Sequence, residues 1–182
     1  VNLLNAYKVY EQGRGEKGSL TWTPNSSIVA ALQNSFELSF NLLTPTNKNI
    51  LVAVDVSGSM HGSQNNNMAI NCSQAAAALS LAFVKNEPNV DIVWFDTQVY
   101  VPKVNKRSSY AEVIKNTPSG GGTDCSLAFQ AAIAKKVKYD AIVILTDNET
   151  WVGEKHGVQV LAEYRKQFNP NTKVINVGMV AN

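Results

Sequence analysis

The stretch that decides the fold is Ile50-Leu51-Val52-Ala53-Val54-Asp55-Val56-Ser57-Gly58-Ser59. Its apolar first half predicts a buried strand, and the polar residues after it predict a loop at the end of that strand. In the loop a carboxylate and two hydroxyls alternate, at Asp55, Ser57 and Ser59, so their oxygens can converge on a hard cation such as Mg²⁺. Because Asp and Ser also favour turns, this segment alone leaves a metal site and an ordinary serine-rich turn both open.

Two later segments also end in oxygen-bearing side chains that could bind a cation. The glycine-rich segment 119–122 ends in the hydroxyl of Thr123, and the apolar run 141–145 is followed by Thr146 and Asp147. In an open parallel sheet, ligand sites form outside the carboxyl ends of the strands, where the strand order reverses. We therefore expect one cluster of oxygens from Asp55, Ser57, Ser59, Thr123 and Asp147.

Strand-like and helix-like segments alternate from Asn49 onward. The predicted strands lie at residues 50–54, 90–95, 98–101, 140–145 and 173–177. The predicted helices lie at about 68–85, 124–137 and 157–168, with a short helix opened by a capping box at 109–112. This alternation predicts an α/β fold with a doubly wound, mostly parallel sheet covered on both faces. Since only Asp96-Thr97 separates the second and third strands, they are predicted to form a hairpin with one antiparallel edge strand.

Residues 1–48 are predicted to be an N-terminal extension. A helix end near residues 3–10 precedes Gly13-Arg14-Gly15-Glu16-Lys17-Gly18, which we interpret as a turn because a nucleotide-binding G-x-G-x-x-G follows a strand. A second helix is expected to start at Thr23-Pro24 and to run to about Asn41. Its apolar stripe consists of Ile28, Leu32, Phe36 and Phe40. The sequence leaves open whether this stripe packs on the sheet or on another domain.

Together these motifs resemble a domain family and, more narrowly, one protein family that contains this domain. The five oxygen-bearing residues and their strand contexts resemble the metal-ion-dependent adhesion site (MIDAS) of a von Willebrand factor A domain. Gly121-Gly122-Thr123-Asp124-Cys125-Ser126 and Thr146-Asp147-Asn148-Glu149 narrow the resemblance to the TROVE family, the Ro ribonucleoprotein autoantigen and its bacterial relatives. The resemblance implies an A-like domain over residues 49–182. Because the family's last strand and terminal helix have no counterpart here, two alternatives stay open: the C-terminus is truncated, or the N-terminal segment covers the sheet in place of the missing elements.

The resemblance also implies a cofactor and a function. Mg²⁺ is the expected cation, with Mn²⁺ or Ca²⁺ as alternatives, and Asp124, Asn148 and Glu149 are expected near the cation in the outer shell. The implied function is a metal-dependent binding module of a cytoplasmic Ro-like ribonucleoprotein that takes part in RNA quality control. Its partners would be small structured Y-like RNA or misfolded RNA, with no DNA and no membrane. The alternative is a protein–protein module whose metal captures an acidic residue of a partner without RNA contact.

Charge, histidine and cysteine usage limit the other function classes. A net charge of +2 is too small to indicate nucleic-acid binding by itself, although Lys103, Lys106 and Arg107 are candidate RNA contacts. His61 follows the Ser59 loop and His156 lies just before a predicted helix, so either could approach the site. Because a lone histidine in a loop is more often simply solvated, we predict no catalytic residue and no enzyme. The only cysteines, Cys72 and Cys125, are far apart and predict neither a zinc site nor a disulfide.

Overall fold

A five-stranded α/β sheet forms the centre of the computed structural model, which describes residues 2–62, 69–147 and 156–180. The strands are β1 (Ile50–Asp55), β2 (Val90–Phe95), β3 (Val99–Tyr100), β4 (Ala141–Thr146) and β5 (Lys173–Gly178). Their order is β3-β2-β1-β4-β5, and within this sheet β3 alone runs antiparallel to its neighbour. The predicted doubly wound sheet with one antiparallel edge strand is confirmed.

Helices cover both faces of the sheet. Those described are α1 (Asn2–Glu11), α2 (Ser26–Leu38), α3 (Gly58–Gly62), α4 (Cys72–Asn86), α5 (Tyr110–Asn116), α6 (Ser126–Lys135) and α7 (Gly157–Gln167), with a 3-10 turn at Ser39–Leu42. Successive residues of β1 point to opposite faces, so Val52 and Val54 join the core under α4 while Leu51 and Ala53 join the core under α6 and α7. Every residue of β1 is buried, which explains why this central strand has an unbroken apolar sequence.

Two helices, α2 and α4, begin at side-chain caps that the sequence predictions missed. Helix α2 begins at Ser26 because Asn25 accepts hydrogen bonds from the next turn, so the predicted start at Thr23-Pro24 was two to three residues early. Helix α4 begins after Asn71, which forms a capping box with Gln74, whereas the predicted start near residue 68 lies outside the described residues.

Two other sequence predictions are corrected. The predicted helix start at Asp124 moves to Ser126, because the Asp124 carboxylate accepts a hydrogen bond from the Ser126 N–H before the helix begins. The hairpin between β2 and β3 has a link of three residues, 96–98, where two were expected. That link is tightened by a hydrogen bond from the Asp96 N–H to the Gln98 carbonyl, 3.1 Å long.

The N-terminal segment packs against the sheet domain, which answers the question that the sequence left open. Phe36 and Phe40 are buried in the same core as α4, and the Phe36 ring meets the Tyr110 ring of α5 edge to face at 5.4 Å. Ile28, by contrast, is 46% exposed, so its place in the predicted buried stripe was wrong. The connection to β1 is held by Glu87, which accepts hydrogen bonds from the backbone N–H groups of residues 46 and 47.

The glycine-rich segment after α1 is a turn, as predicted. Gly13 has φ +70°, and a Cβ atom there would lie 2.6 Å from the Trp22 carbonyl oxygen. Glycine is therefore required both by the backbone conformation and by the close approach. Cys72 is buried and Cys125 is partly buried. No helix in the described part of the chain is long and apolar enough to cross a membrane.

Candidate metal centre

The carboxylate of Asp55 is the centre of the predicted site. Asp55 is fully buried at the carboxyl end of β1. Its Oδ1 accepts a hydrogen bond of 2.9 Å from the Ser57 N–H, and its Oδ2 accepts one of 2.7 Å from the Thr146 hydroxyl of the neighbouring strand. The carboxylate is therefore held in one orientation by neutral donors from two strand ends.

Two serine hydroxyls stand beside this carboxylate, on the loop that opens α3. The Oγ atoms of Ser57 and Ser59 lie 3.2 Å apart, so the two side chains point to the same place. Ser57 is buried and Ser59 is partly buried. The i, i+2 spacing in the sequence thus brings two neutral oxygens together at the end of β1.

The glycine-rich loop carries Thr123 to the same edge of the sheet. The Gly58 N–H points to the Gly121 carbonyl at 3.4 Å, which joins this loop to the loop after β1. Thr123 is 1% exposed. Gly121 has φ +72°, a left-handed conformation that favours glycine, and this conformation turns the chain towards Thr123.

Asp147 follows β4 and is also buried, which places a second carboxylate at this edge. Burial is the main cause that raises the pKa of Asp55, and the negative charge of Asp147 raises it further, while the hydrogen bonds from Ser57 and Thr146 oppose the shift. Two buried carboxylates at one edge of the sheet are a favourable place for a cation.

The donor set fits a hard divalent cation. Mg²⁺ takes about six oxygen ligands and commonly uses one or two carboxylates together with neutral oxygens and water. Two carboxylates and three hydroxyls supply that chemistry here. Among the residues that the structure describes, no three His, Cys, Asp or Glu side chains gather as a metal cluster, so a site at this edge depends on the hydroxyls.

The other residues predicted near the site have mixed outcomes. Asp124 lies beside Thr123, but its carboxylate accepts from the Ser126 N–H at 2.9 Å and so serves the start of α6. His61 Nδ1 lies 3.3 Å from the Ser57 carbonyl oxygen, close to the site loop, whereas His156 is exposed at the start of α7. Asn148 and Glu149 lie outside the described residues.

The candidate RNA contacts lie on a different loop of the chain. Lys103, Lys106 and Arg107 are all exposed in the loop between β3 and α5. None of them lies on the loops that carry Asp55, Thr123 or Asp147. The cationic loop is therefore a different segment of the chain from the loops that carry the oxygen cluster.

The sequence analysis missed Asp96, which braces the glycine-rich loop. Asp96 is 5% exposed, and its backbone carbonyl accepts a hydrogen bond of 2.9 Å from the Asp124 N–H. A Cβ at Gly121 would lie 3.0 Å from Asp96 Oδ2, so the loop packs directly on this carboxylate. The signal was available: Asp96 directly follows β2, just as Asp147 directly follows Thr146 at the end of β4.

Comparisons with known proteins agree with the observed fold. The family model described as the Ro60 vWA domain matches residues 49–182. This chain belongs to the Ro60 vWA-domain family. The predicted resemblance to a von Willebrand factor A domain of a Ro-like protein is therefore confirmed, and the doubly wound sheet with an antiparallel edge is the Ro60 vWA fold.

Similar proteins within the Ro60 family extend the match to the N-terminal segment. The chain is 39% identical to the RNA-binding protein RO60 of Caenorhabditis elegans and 34% identical to that of Deinococcus radiodurans, and each match covers all of this chain. It superposes on the crystal structure of the Deinococcus radiodurans RO (RSR) protein with a TM-score of 0.83 over 97% of its length, at 34% identity. The chain spans 28% and 35% of the two curated relatives and 36% of the crystallised chain.

Proposed function

We propose that this domain is a metal-dependent binding module of a Ro-like ribonucleoprotein, in which Mg²⁺ links the domain to RNA phosphate. Asp55, Ser57, Ser59, Thr123 and Asp147 hold the cation. The observation that carries the proposal is the buried Asp55 carboxylate at the end of β1, which accepts its described hydrogen bonds from Ser57 and Thr146, with Asp147 buried at the end of the neighbouring β4. The wider protein takes part in binding small non-coding RNA and in RNA quality control.

The composition of the site loops supports a role for the metal in attracting an anion. Residues 55–62 and 117–124 contain neither Lys nor Arg, so no basic side chain of these two loops can attract a phosphate. A cation held by the cluster supplies the positive charge and offers a coordination position to an anionic oxygen. The relatives are named RNA-binding proteins, which supports phosphate as that oxygen.

Binding without catalysis is the activity that this site supports. Metal-assisted hydrolysis needs a general base beside the bound water. His61 is the histidine next to the described site loop, and its Nδ1 faces the Ser57 carbonyl oxygen at 3.3 Å. The relatives are named as RNA-binding proteins and not as enzymes. We expect no metal-dependent release of phosphate or RNA fragments.

A second function rests on the same cluster. The metal could instead accept a carboxylate from an acidic residue of a partner protein, without RNA contact. The low net charge of +2 favours this alternative, because it provides little long-range attraction for a polyanion such as RNA. Salt separates the two functions, since phosphate-driven binding weakens steeply as the salt concentration rises.

The test measures binding of a labelled single-stranded RNA in Mg²⁺ and in EDTA across a salt series. The decisive variant is Thr123→Val, which removes one ligand hydroxyl, and its matched control is Ser119→Ala, which removes an exposed hydroxyl from the same loop. Mg²⁺-dependent binding that Thr123→Val weakens and Ser119→Ala does not would support the proposal. Retained Mg²⁺ binding without RNA binding would favour carboxylate capture, and absence of Mg²⁺ binding would overturn both.

A further inference from the structure

A cavity opens beside the antiparallel edge of the sheet, and none of the five proposed metal ligands lines it. It lies between the β2–β3 hairpin, the loop that follows β3, and helix α5, and it has a volume of about 690 Å³. Pockets that hold small organic ligands are commonly about 300–1,000 Å³ in size. The cavity is therefore large enough for a small organic ligand.

Apolar side chains form one part of the cavity wall. Trp94 and Val113 line it and are almost fully buried, so this part of the wall belongs to the packed core. Tyr100 lines it as a partly exposed ring. The Tyr100 hydroxyl donates to Asp96 Oδ2 at 3.0 Å and accepts from Gln98 Nε2 at 2.7 Å, which holds the ring in place. A flat apolar group can be bound by such a wall without much rearrangement.

Charged side chains form another part of the wall. Lys103 and Arg107 are exposed, and among the described residues neither takes part in an ion pair. The acidic residue on the wall, Glu112, already accepts a hydrogen bond of 2.8 Å from the Ser109 N–H in the helix cap. Two cations face the cavity without a described partner, while the nearby carboxylate is engaged elsewhere. The cavity therefore favours an anionic ligand.

We propose that this cavity binds a nucleoside monophosphate, with its base against Trp94 and Tyr100 and its phosphate at Lys103 and Arg107. The inference deepens the proposed function and rests on its RNA-binding part. A flat base suits an aromatic wall because every base has a face that can stack. The planar guanidinium of an arginine matches the geometry of a phosphate. The nucleotide could be free, or it could be the terminal residue of a single-stranded RNA.

The first experiment titrates adenosine monophosphate into the 182-residue chain by calorimetry, in EDTA. Saturable binding is expected, and Lys103→Ala and Arg107→Ala should each weaken it about tenfold, the usual size for a hydrogen bond to a charged group. Lys115→Ala is the matched control, because Lys115 is an exposed cation of the neighbouring helix α5 that does not line the cavity. Its affinity should stay within about twofold of the unmodified chain.

A second variant tests shape without changing charge. Asn116 lines the cavity from an exposed position on α5, so Asn116→Trp should fill the space and abolish binding. Circular dichroism of each variant verifies that the fold is intact. A 5′-phosphorylated oligonucleotide, titrated in parallel, identifies the source of the nucleotide. If it binds with the same dependence on Arg107 while adenosine monophosphate does not, the site takes an RNA end.

Three results would overturn the inference. They are the absence of binding by both probes, equal weakening by Lys115→Ala and Arg107→Ala, and displacement of the bound nucleotide by an acidic peptide of similar size. Because EDTA removes divalent cations, failure of the metal centre would not change these readouts. Loss of nucleotide binding here would likewise leave Mg²⁺ binding at Asp55 intact.

Discussion

Two carboxylates at opposite ends of the same sheet have different bonding partners. At the amino end of β2, Asp91 pairs with Lys135 at 3.1 Å and accepts a hydrogen bond from the Tyr139 hydroxyl. At the carboxyl end of β1, Asp55 accepts its described hydrogen bonds from a backbone N–H and a hydroxyl, both neutral. One carboxylate is balanced by a protein cation, and the other has no basic partner in the part of the chain that the structure describes.

This difference suits the polar groups around Asp91 to a structural role and those around Asp55 to the proposed binding role. Around Asp91 the polar groups satisfy one another, and burial together with the Asp91 carboxylate raises the pKa of Tyr139, which keeps that hydroxyl protonated as a donor. Around Asp55, burial raises the pKa of a carboxyl that lacks a described basic partner. A buried charge of this kind is costly unless a cation joins it. The amino end therefore contributes stability, and the carboxyl end is where we propose a ligand site.

The largest expected effect is the loss of Mg²⁺ binding in Asp55→Ala. A cation at about 100-fold excess over its Kd stabilises a folded protein by about 2.7 kcal/mol. The unmodified chain should gain stability on this scale when Mg²⁺ is added, and Asp55→Ala should gain none. Thermal unfolding with and without Mg²⁺ measures both. An undiminished Mg²⁺ effect in the variant would remove the distinction between the two ends of the sheet.

Asp91→Ala should lower the stability of the chain without changing its response to Mg²⁺. Loss of the acceptor for Tyr139 and of the partly exposed Lys135 pair should lower the free energy of unfolding by about 2 kcal/mol, mostly through the hydrogen bond. The gain on adding Mg²⁺ should be unchanged. Urea denaturation is the measurement, and Tyr139→Phe, which removes the hydroxyl but keeps the ring, should reproduce about half of the loss. A variant as stable as the unmodified chain would contradict the structural role of this cluster.

Asp96→Ala should have the smallest effect. Asp96 lies at the proposed metal-binding end of the sheet but is not a proposed ligand, so this variant sharpens the comparison between the two ends. Removing its side chain should loosen the loop that carries Thr123 and weaken Mg²⁺ binding about tenfold, as is usual for groups that orient a ligand. Asp96→Asn keeps an acceptor for the Gln98 N–H and should restore most of the affinity. Calorimetric titration with Mg²⁺ measures both variants. Equal weakening by the two variants would mean that the charge of Asp96 acts on the metal directly.

Local patterns explain why so much of the fold could be predicted. The unbroken apolar runs of β1 and β4 mark strands buried on both faces, and these strands lie within one residue of their predicted limits. The capping box at Ser109 opened α5 as predicted, because its two hydrogen bonds join residues three apart. The errors came where a neighbouring side chain decided the outcome, as with Asn25 at the start of α2.

The sequence by itself determined the strands, the alternation of elements, the family resemblance and the order of the five candidate ligands. These features depend on neighbouring residues and on the short period of strands and helices. Only the tertiary structure decided that α2 packs on the sheet, that Asp96 supports the loop before Thr123, and that Trp94 and Arg107 line one cavity. Such contacts join segments that are distant along the chain, and they depend on how whole elements pack, which local patterns do not specify.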